Sequence, residues 1–371
     1  MSASPSAQLL HDLRLAMTAA LSSRRPILHH LNADNSWLLQ IPRPTSATRK
    51  GSQIYYNILI DPWFTGGQTD ISWWFSLQFH AIPSAVQSIR EVEELIRRNE
   101  VVARGDEESE GEQHGEGAID AVAISHEFTD HCHEETLKQV GRDVPVFAVR
   151  KAVKLIQSWR HFRIVVQVPV YEPGDGLDWR ETSLLPLPAW IGISRLEQKS
   201  DPVGLHAALM IAFDNGRRSS AAGQSIEHIN EDDAAEALFH TPHGISHGAI
   251  STIIEQADPP IKTIALLHGL SDVKVGETPL GPALQINLGA RNGAHVQQAL
   301  RAKYWFGTHD EVKKGSGIVA KMIKSRIMAL DPVLAEEQSR GTLSKEAAKA
   351  CLASYEELGS GASRVLECSE Q

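Results

Sequence analysis

Short apolar runs alternate with charged or turn-forming stretches along this chain, and the spacing of the apolar positions separates strands from helices. Residues 27–31 (ILHHL) and 36–41 (SWLLQI) are too short for helices and flank the turn-forming stretch Asn32 to Asn35, which predicts two connected strands. Residues 54–61 (IYYNILID) predict a buried strand ending at Asp61-Pro62, and residues 118–125 (AIDAVAIS) predict another. Residues 84–99 place Val86, Ile89, Val92, Leu95 and Ile96 at helical spacing. Further strands are expected at 144–149, 162–171, 183–197, 205–213, 261–267 and 303–306, and a strand is read before His243. Helices are expected at 150–159, 247–257 and 292–301, with a helical pattern from 314 onward and then a polar tail. An amphipathic N-terminal helix is expected from Leu9, Leu10, Leu13, Met17 and Leu21. No short-period repeat is present, and the strand–helix alternation in two halves predicts a layered α/β protein.

Charge changes this picture in one place. The formal net charge is −10, and six of the negative charges (Asp106, Glu107, Glu108, Glu110, Glu112, Glu116) fall in one run without Lys or Arg. Residues 105–117 are therefore expected to be a disordered surface loop. The remaining body is only mildly acidic, which argues against an unspecific grip on nucleic acid. Cys132, Cys351 and Cys368 form no disulfide framework and fit a reducing compartment. No apolar run is long enough to cross a bilayer. A cytoplasmic location is expected, with a mitochondrial presequence as the other reading of the Ser/Ala-rich residues 1–25. The aromatic stretch Trp63, Phe64, Trp73, Trp74, Phe75 and Phe79 reads as core, with an apolar substrate wall or lipid-facing lip as the alternative.

Candidate chemistry gathers at strand ends. His126, Asp130 and His131 follow the predicted strand 118–125 directly, and Glu134-Glu135 then open a helix. A strand end fixes the first group, and the loop carries the carboxylate and second imidazole to another point in space, an arrangement that suits a metal ion. His206 stands at the start of a strong strand, His243 follows a strand and precedes Gly244, and His309 follows another in Gly307-Thr308-His309. In layered αβ folds such ends collect at one edge of the sheets. The remaining histidines, His240 among them, are assigned to surface or packing, and His133 to a helix cap rather than a proton shuttle.

These residues resemble the metallo-β-lactamase superfamily over residues 28–310. That family carries His-x-His-x-Asp-His after a buried strand, and the corresponding string here is His126-Glu127-Phe128-Thr129-Asp130-His131. Leu59-Ile60-Asp61-Pro62 resembles its upstream strand, His206 its third metal-binding motif, and His309 its last histidine in the Gly-Thr-His form of lactonase- and phospholipase-like branches. His243 falls where the family has a bridging Asp. A fungal group sharing Ser-His-Glu-Phe-Thr-Asp-His-Cys-His is closer still, and no activity is carried over from it. The resemblance implies a four-layer αββα domain, here set at 24–326 with a C-terminal helical extension and tail at 327–371. It implies a metal set of His126, Asp130, His131, His206, His243 and His309, with Asp130 also orienting the nucleophile.

Two departures lower the expected metal count. Phe128 replaces a ligand, and a neutral imidazole at 243 cannot bridge two cations as a carboxylate can. One ion is expected rather than two, zinc first, with manganese or iron as alternatives. Two arrangements stay open: Asp130, His131 and His309 with His243 as a fourth ligand, which is preferred, or His126, His206 and His243. The implied activity is hydrolysis of an ester, lactone, amide or phosphodiester in a small molecule or lipid, through water made acidic by the metal. The alternative is a catalytically degenerate binding or scaffold protein. Neither the substrate nor the oligomeric state follows from the sequence.

Overall fold

The computed structural model describes residues 24–48, 53–69, 74–104, 118–172, 178–198, 201, 203–214, 234–278 and 281–367. The N-terminal helix, the acidic run 105–117, Trp73 and Cys368 lie outside the described residues. Two sheets dominate. The first contains β1 (Ile27–His30), β2 (Trp37–Pro42), β3 (Tyr55–Ile60), β5 (Ala121–Ile124), β6 (Val146–Ala148) and β7 (Val165–Gln167), closed at the other edge by β18 (Ser363–Val365), in the order β18-β1-β2-β3-β5-β6-β7. Strands β3, β5, β6 and β7 run parallel. The second sheet has the order β17-β14-β11-β10-β9-β8, built from β8 (Ile191–Glu197), β9 (Ala207–Phe213), β10 (Ala235–Thr241), β11 (Ile261–His268), β14 (Tyr304–Phe306) and β17 (Tyr355–Glu356). Strands β10, β11, β14 and β17 are parallel.

Side-chain alternation makes the layers. In the first sheet Trp37, Leu39, Ile58, Ile60 and Ala123 meet Leu209, Ile211, Leu238, Leu267 and Phe306 of the second, which forms the inter-sheet core. Their neighbours Leu38, Leu59 and Val122 point the other way, onto α1 (Ile89–Arg104) and α3 (Arg150–Ser158) through Val92, Ile96, Ala152 and Ile156. The outer face of the second sheet, with Met210, Phe239, Leu266 and Trp305, is covered by α4 (His247–Gln256), α5 (Gly289–Leu300), α7 (Leu330–Ser339) and α8 (Lys345–Ser354). Both sheets are buried on both faces, so their strands read as apolar runs rather than as alternation. The result is helix–sheet–sheet–helix, the four-layer αββα sandwich expected from the sequence.

Two smaller sheets stand on this frame. Strands β12 (Ser271–Thr278), β13 (Gly281–Leu288) and β16 (Ile323–Ile327) form one, and β4 (Leu77–Phe79) pairs with β15 (Lys314–Ser316) in the other. The sequence reading assigns nothing to residues 271–288, although Val273, Val275, Leu284 and Ile286 alternate with the period of a strand pair. The helical pattern from 314 onward is corrected: a short α6 (Gly317–Met322) sits between β15 and β16, and β17 and β18 follow. Helix 84–99 begins at Ile89, because the Ala85 and Val86 N–H groups go to the Leu31 carbonyl (3.0 and 3.4 Å). Strand 183–197 shortens to Ile191–Glu197, since Pro186 and Pro188 offer no N–H to a ladder. The aromatic stretch divides. Trp63 and Phe64 are core, whereas Trp74 and Phe79 are exposed.

His29 shows how the first sheet is sealed. Its Nδ1 meets Ser363 Oγ of β18 at 2.6 Å and its Nε2 meets Gln40 Oε1 of β2 at 2.8 Å. Burial pushes its pKa down to about 4 against the Gln40 contact. Protonation below the unfolded value near 6.5 therefore favours the unfolded chain, and stability falls as pH drops from about 6.5 toward 4, by about 1.4 kcal/mol per pH unit for this proton. Urea midpoints measured between pH 7 and pH 5 should decline, and His29→Gln should flatten that decline. An unchanged slope in the variant would contradict the assignment.

Candidate metal centre

The parallel strands of both sheets end at one edge, and the polar groups collect there. At the end of β3 stands Asp61, fully buried and at a φ of 43°, in the left-handed region. Its Oδ1 accepts the Ser125 N–H (2.7 Å), and its Oδ2 accepts from Ser125 Oγ, His131 Nδ1 (2.8 Å) and His240 Nε2 (2.9 Å). Burial would raise the Asp61 pKa, but these imidazoles hold it well below the usual carboxylate range. The carboxylate fixes the proton of His131 on Nδ1, and Nε2, which the Asn35 amide approaches at 3.4 Å, keeps its lone pair on the side of the centre.

Two more imidazoles are held the same way. His243, in the turn after β10, faces Asn287 Oδ1 of β13 through Nδ1 at 2.8 Å, and its buried Nε2 has no hydrogen-bond partner. Gly244 makes this turn possible. It sits at a φ of 89°, and a Cβ there would come within 2.7 Å of Asn292 Oδ1. His309, after β14, also adopts a positive φ, 59°, held by its N–H to the Asp34 carbonyl (2.8 Å) and its Nδ1 to Asp34 Oδ1 (3.0 Å). Its Nε2 lies 3.7 Å from Asp130 Oδ2. Asp130 is buried, with its Oδ1 3.8 Å from His131 Nε2. Burial opposes its ionisation, yet Lys313, His131 and His309 hold it well below the ordinary range.

Ligand-type atoms of Asp130, His131 and His309 lie within 4.8 Å of one another, as do those of His126, His131 and His243, and those of Asp61, His131 and His240. Ring centroids of His131, His243 and His309 are 4.9 to 5.1 Å apart. The unpartnered Nε2 of His243, buried beside two imidazoles and a carboxylate, is the donor a cation would take up. His126 is in the same cluster, but its Nε2 faces the Leu205 carbonyl at 2.9 Å and so carries the proton. Phe128 stacks against His126 at 6.2 Å, where the motif would have a ligand.

The structure thus brings together five of the six residues singled out from sequence. His206 stands apart. It precedes β9 one residue after Leu205, whose carbonyl turns to His126, while the His206 ring turns to Asp201 (Nδ1 to Oδ2, 3.2 Å). Sequence reasoning also missed several groups. His240, assigned to packing, joins Asp61 and His131, and Asp34, Asn287 and Lys313 are new to the picture. Lys313 Nζ lies 2.8 Å from Asp130 Oδ2 and 2.8 Å from Asp34 Oδ2. His133 is the N-cap of α2 (Glu134–Leu137), with its ring nitrogen accepting from the Thr136 N–H.

A cavity of about 470 Å³ opens over these groups. Asp130, His243, His309 and Lys313 form its floor, and Phe128, Val273, Leu284, Ile286 and Ile323 are among its apolar walls. The small sheet β13-β12-β16 therefore supplies much of the enclosure.

Two face-to-face sheets, flanking helices and a polar centre at the shared strand ends decide the architecture. It is the four-layer αββα sandwich that the resemblance to the metallo-β-lactamase superfamily implies. Solved structures similar to the chain include an isothiocyanate hydrolase from Delia radicum gut bacteria (TM-score 0.47, 12% identity, 92% of this chain and 100% of that one). They include the metallo hydrolase Igni18 from Ignicoccus hospitalis (0.46, 12%, 93% and 100%) and the metallo-β-lactamase fold protein YhfI from Bacillus subtilis (0.42, 12%, 91% and 99%). No protein-family model and no curated protein matches the chain. Among the described residues, no helix is long and apolar enough to cross a membrane.

Asp61→Ala should leave His131, His240 and the Ser125 N–H without their shared acceptor. The expected loss is about 3–5 kcal/mol in urea denaturation, as when one partner of a buried charged network is removed. Asp61→Asn keeps one carbonyl oxygen and should lose less. Equal stability of Asp61→Ala and the native chain would show that the carboxylate does not hold the edge together.

Proposed function

We propose that this protein is a metal-dependent hydrolase with a single cation on Asp130, His131 and His309, and His243 as fourth donor. The observation that carries the reading is the shared pattern of the three imidazoles. Each has Nδ1 engaged by an oxygen of Asp61, Asn287 or Asp34, which leaves Nε2 toward the common centre. Nitrogen and oxygen donors in this number suit zinc, with manganese or iron as alternatives. Such a cation, when bound, polarises a scissile carbonyl or phosphoryl group and acidifies water.

The chain's own residues do the rest. Asp130 orients the attacking water. The walls Val273, Leu284, Ile286 and Ile323 exclude bulk water and accept an apolar portion of the substrate. Asn287 and Asp34 keep the His243 and His309 rings from rotating away. The substrate is a small molecule or lipid with an ester, lactone, amide or phosphodiester bond.

Elemental analysis of the purified chain should find a divalent metal, and chelation should remove turnover of chromogenic esters, lactones or phosphodiesters. Asp130→Ala should lose both metal and turnover, and Asn287→Ala should weaken metal affinity about 10–100-fold. Full metal content and activity in Asp130→Ala would overturn the assignment. A metal-free native chain without turnover would favour the non-catalytic scaffold reading instead.

A further inference from the structure

Lys313 has no counterpart in the sequence pattern that identifies the centre, yet it is held within it. Its side chain is only 9% exposed, and its ammonium lies 2.8 Å from Asp34 Oδ2, 2.8 Å from Asp130 Oδ2 and 3.5 Å from His309 Nδ1. It also sits over the Trp63 ring at 5.3 Å from the centroid. A buried ammonium bridging two carboxylates costs several kcal/mol in desolvation unless its partners compensate. Here they do, with the side chains of Asp34 and Asp130 themselves 0% and 11% exposed.

We propose that Lys313 occupies the place of a second metal ion and limits the chain to one, an inference that rests on the metal-binding reading above. The ammonium is a compact positive charge with three donors and no lone pair, so it engages Asp34 and Asp130 as a cation would. Three carboxylates touch the imidazoles of the centre: Asp34, Asp61 and Asp130. One ammonium leaves two negative charges among them, the charge that a single divalent ion neutralises. Asp310 and Glu311 do not enter this count. Asp310 is turned onto the Leu270 and Ser271 N–H groups, and Glu311 onto His80 and the N–H groups of Ala81 and Ile82. Replacing Lys313 by an uncharged small residue removes both the charge and the occupant and leaves Asp34 and Asp130 free to share a second cation.

The test is metal stoichiometry after equilibration with Zn²⁺ and desalting, for the native chain, Lys313→Ala and Lys313→Arg. The inference predicts one additional ion per chain in Lys313→Ala, from one to two, and no gain in Lys313→Arg, which keeps the charge. No gain in Lys313→Ala, or two ions already in the native chain, overturns the inference and leaves the hydrolase reading intact. No ion in the native chain but one in Lys313→Ala places the ammonium at the sole cation position, which overturns both the inference of a second place and the hydrolase reading. No ion in either overturns both. Should Lys313→Ala fold poorly without metal, its thermal midpoint with and without Zn²⁺ replaces the count. A larger metal-induced rise than in the native chain supports the inference, and an equal or smaller rise overturns it.

Discussion

Asp61 is the constraint on which the centre depends. It is a buried carboxylate at the end of β3, and its partners come from three directions: Ser125 after β5, His131 in the following loop, and His240 in β10 of the other sheet. A lone carboxylate in that position would be far too costly to desolvate. Four N–H and O–H donors from three residues offset the cost and make the position specific, because the loop after β5 and strand β10 of the other sheet must bring them to the same height. The same oxygen that ties the two sheets together at this edge also selects the His131 tautomer. Packing and chemistry are therefore set by one contact, and the left-handed backbone at Asp61 is tolerated because the network over-determines it.

The segment 307–313 is the second organiser. Almost every side chain in it has a separate task. Thr308 Oγ1 accepts from Trp37 Nε1 across the inter-sheet core, and His309 presents its ring to the centre. Asp310 gathers the chain at β12, Glu311 gathers residues 80–82, and Lys313 spans Asp34 and Asp130. A short loop thereby fixes the cavity floor, part of its rim and the start of the small sheet that forms its wall. Val312, between two anchored residues, is exposed.

What the sequence made legible follows from what kind of signal each feature leaves. Strands β3, β5, β9 and β11 are buried on both faces, and a continuous apolar run such as residues 205–213 shows that directly. His126, Asp130 and His131 were readable because they follow such a run without a gap, and His243 and His309 because each follows a strand, with glycine next to His243 and two residues before His309. The β12–β13–β16 sheet left a weaker trace, since its strands are half-exposed and carry charges such as Asp272, Lys274 and Lys324 on the alternate positions. Asp34 and Lys313 left none. They are close only because β1–β2 and the 307–313 loop meet across the sandwich, a separation of more than 270 residues that no local pattern encodes. His206 was misplaced for a related reason. On an extended segment neighbouring groups alternate in direction, and here the Leu205 carbonyl, rather than the His206 ring, faces His126.

The cavity joins these features into a gradient of polarity. Val, Leu, Ile and Phe side chains are among its walls, interspersed with Gln68, Gln78 and Ser325, and its floor carries a lysine, an aspartate and two histidines. Second partners already hold the floor groups, Asp34 for Lys313 and His309 and Asn287 for His243, so the contrast between apolar wall and polar floor is fixed in place. Phe128 contributes to this directly. Where a ligand imidazole would have brought a polar group into the wall, the phenyl ring lies flat beside His126 and faces the cavity. One residue therefore both withholds a polar donor from the cluster and adds apolar surface to the cavity wall.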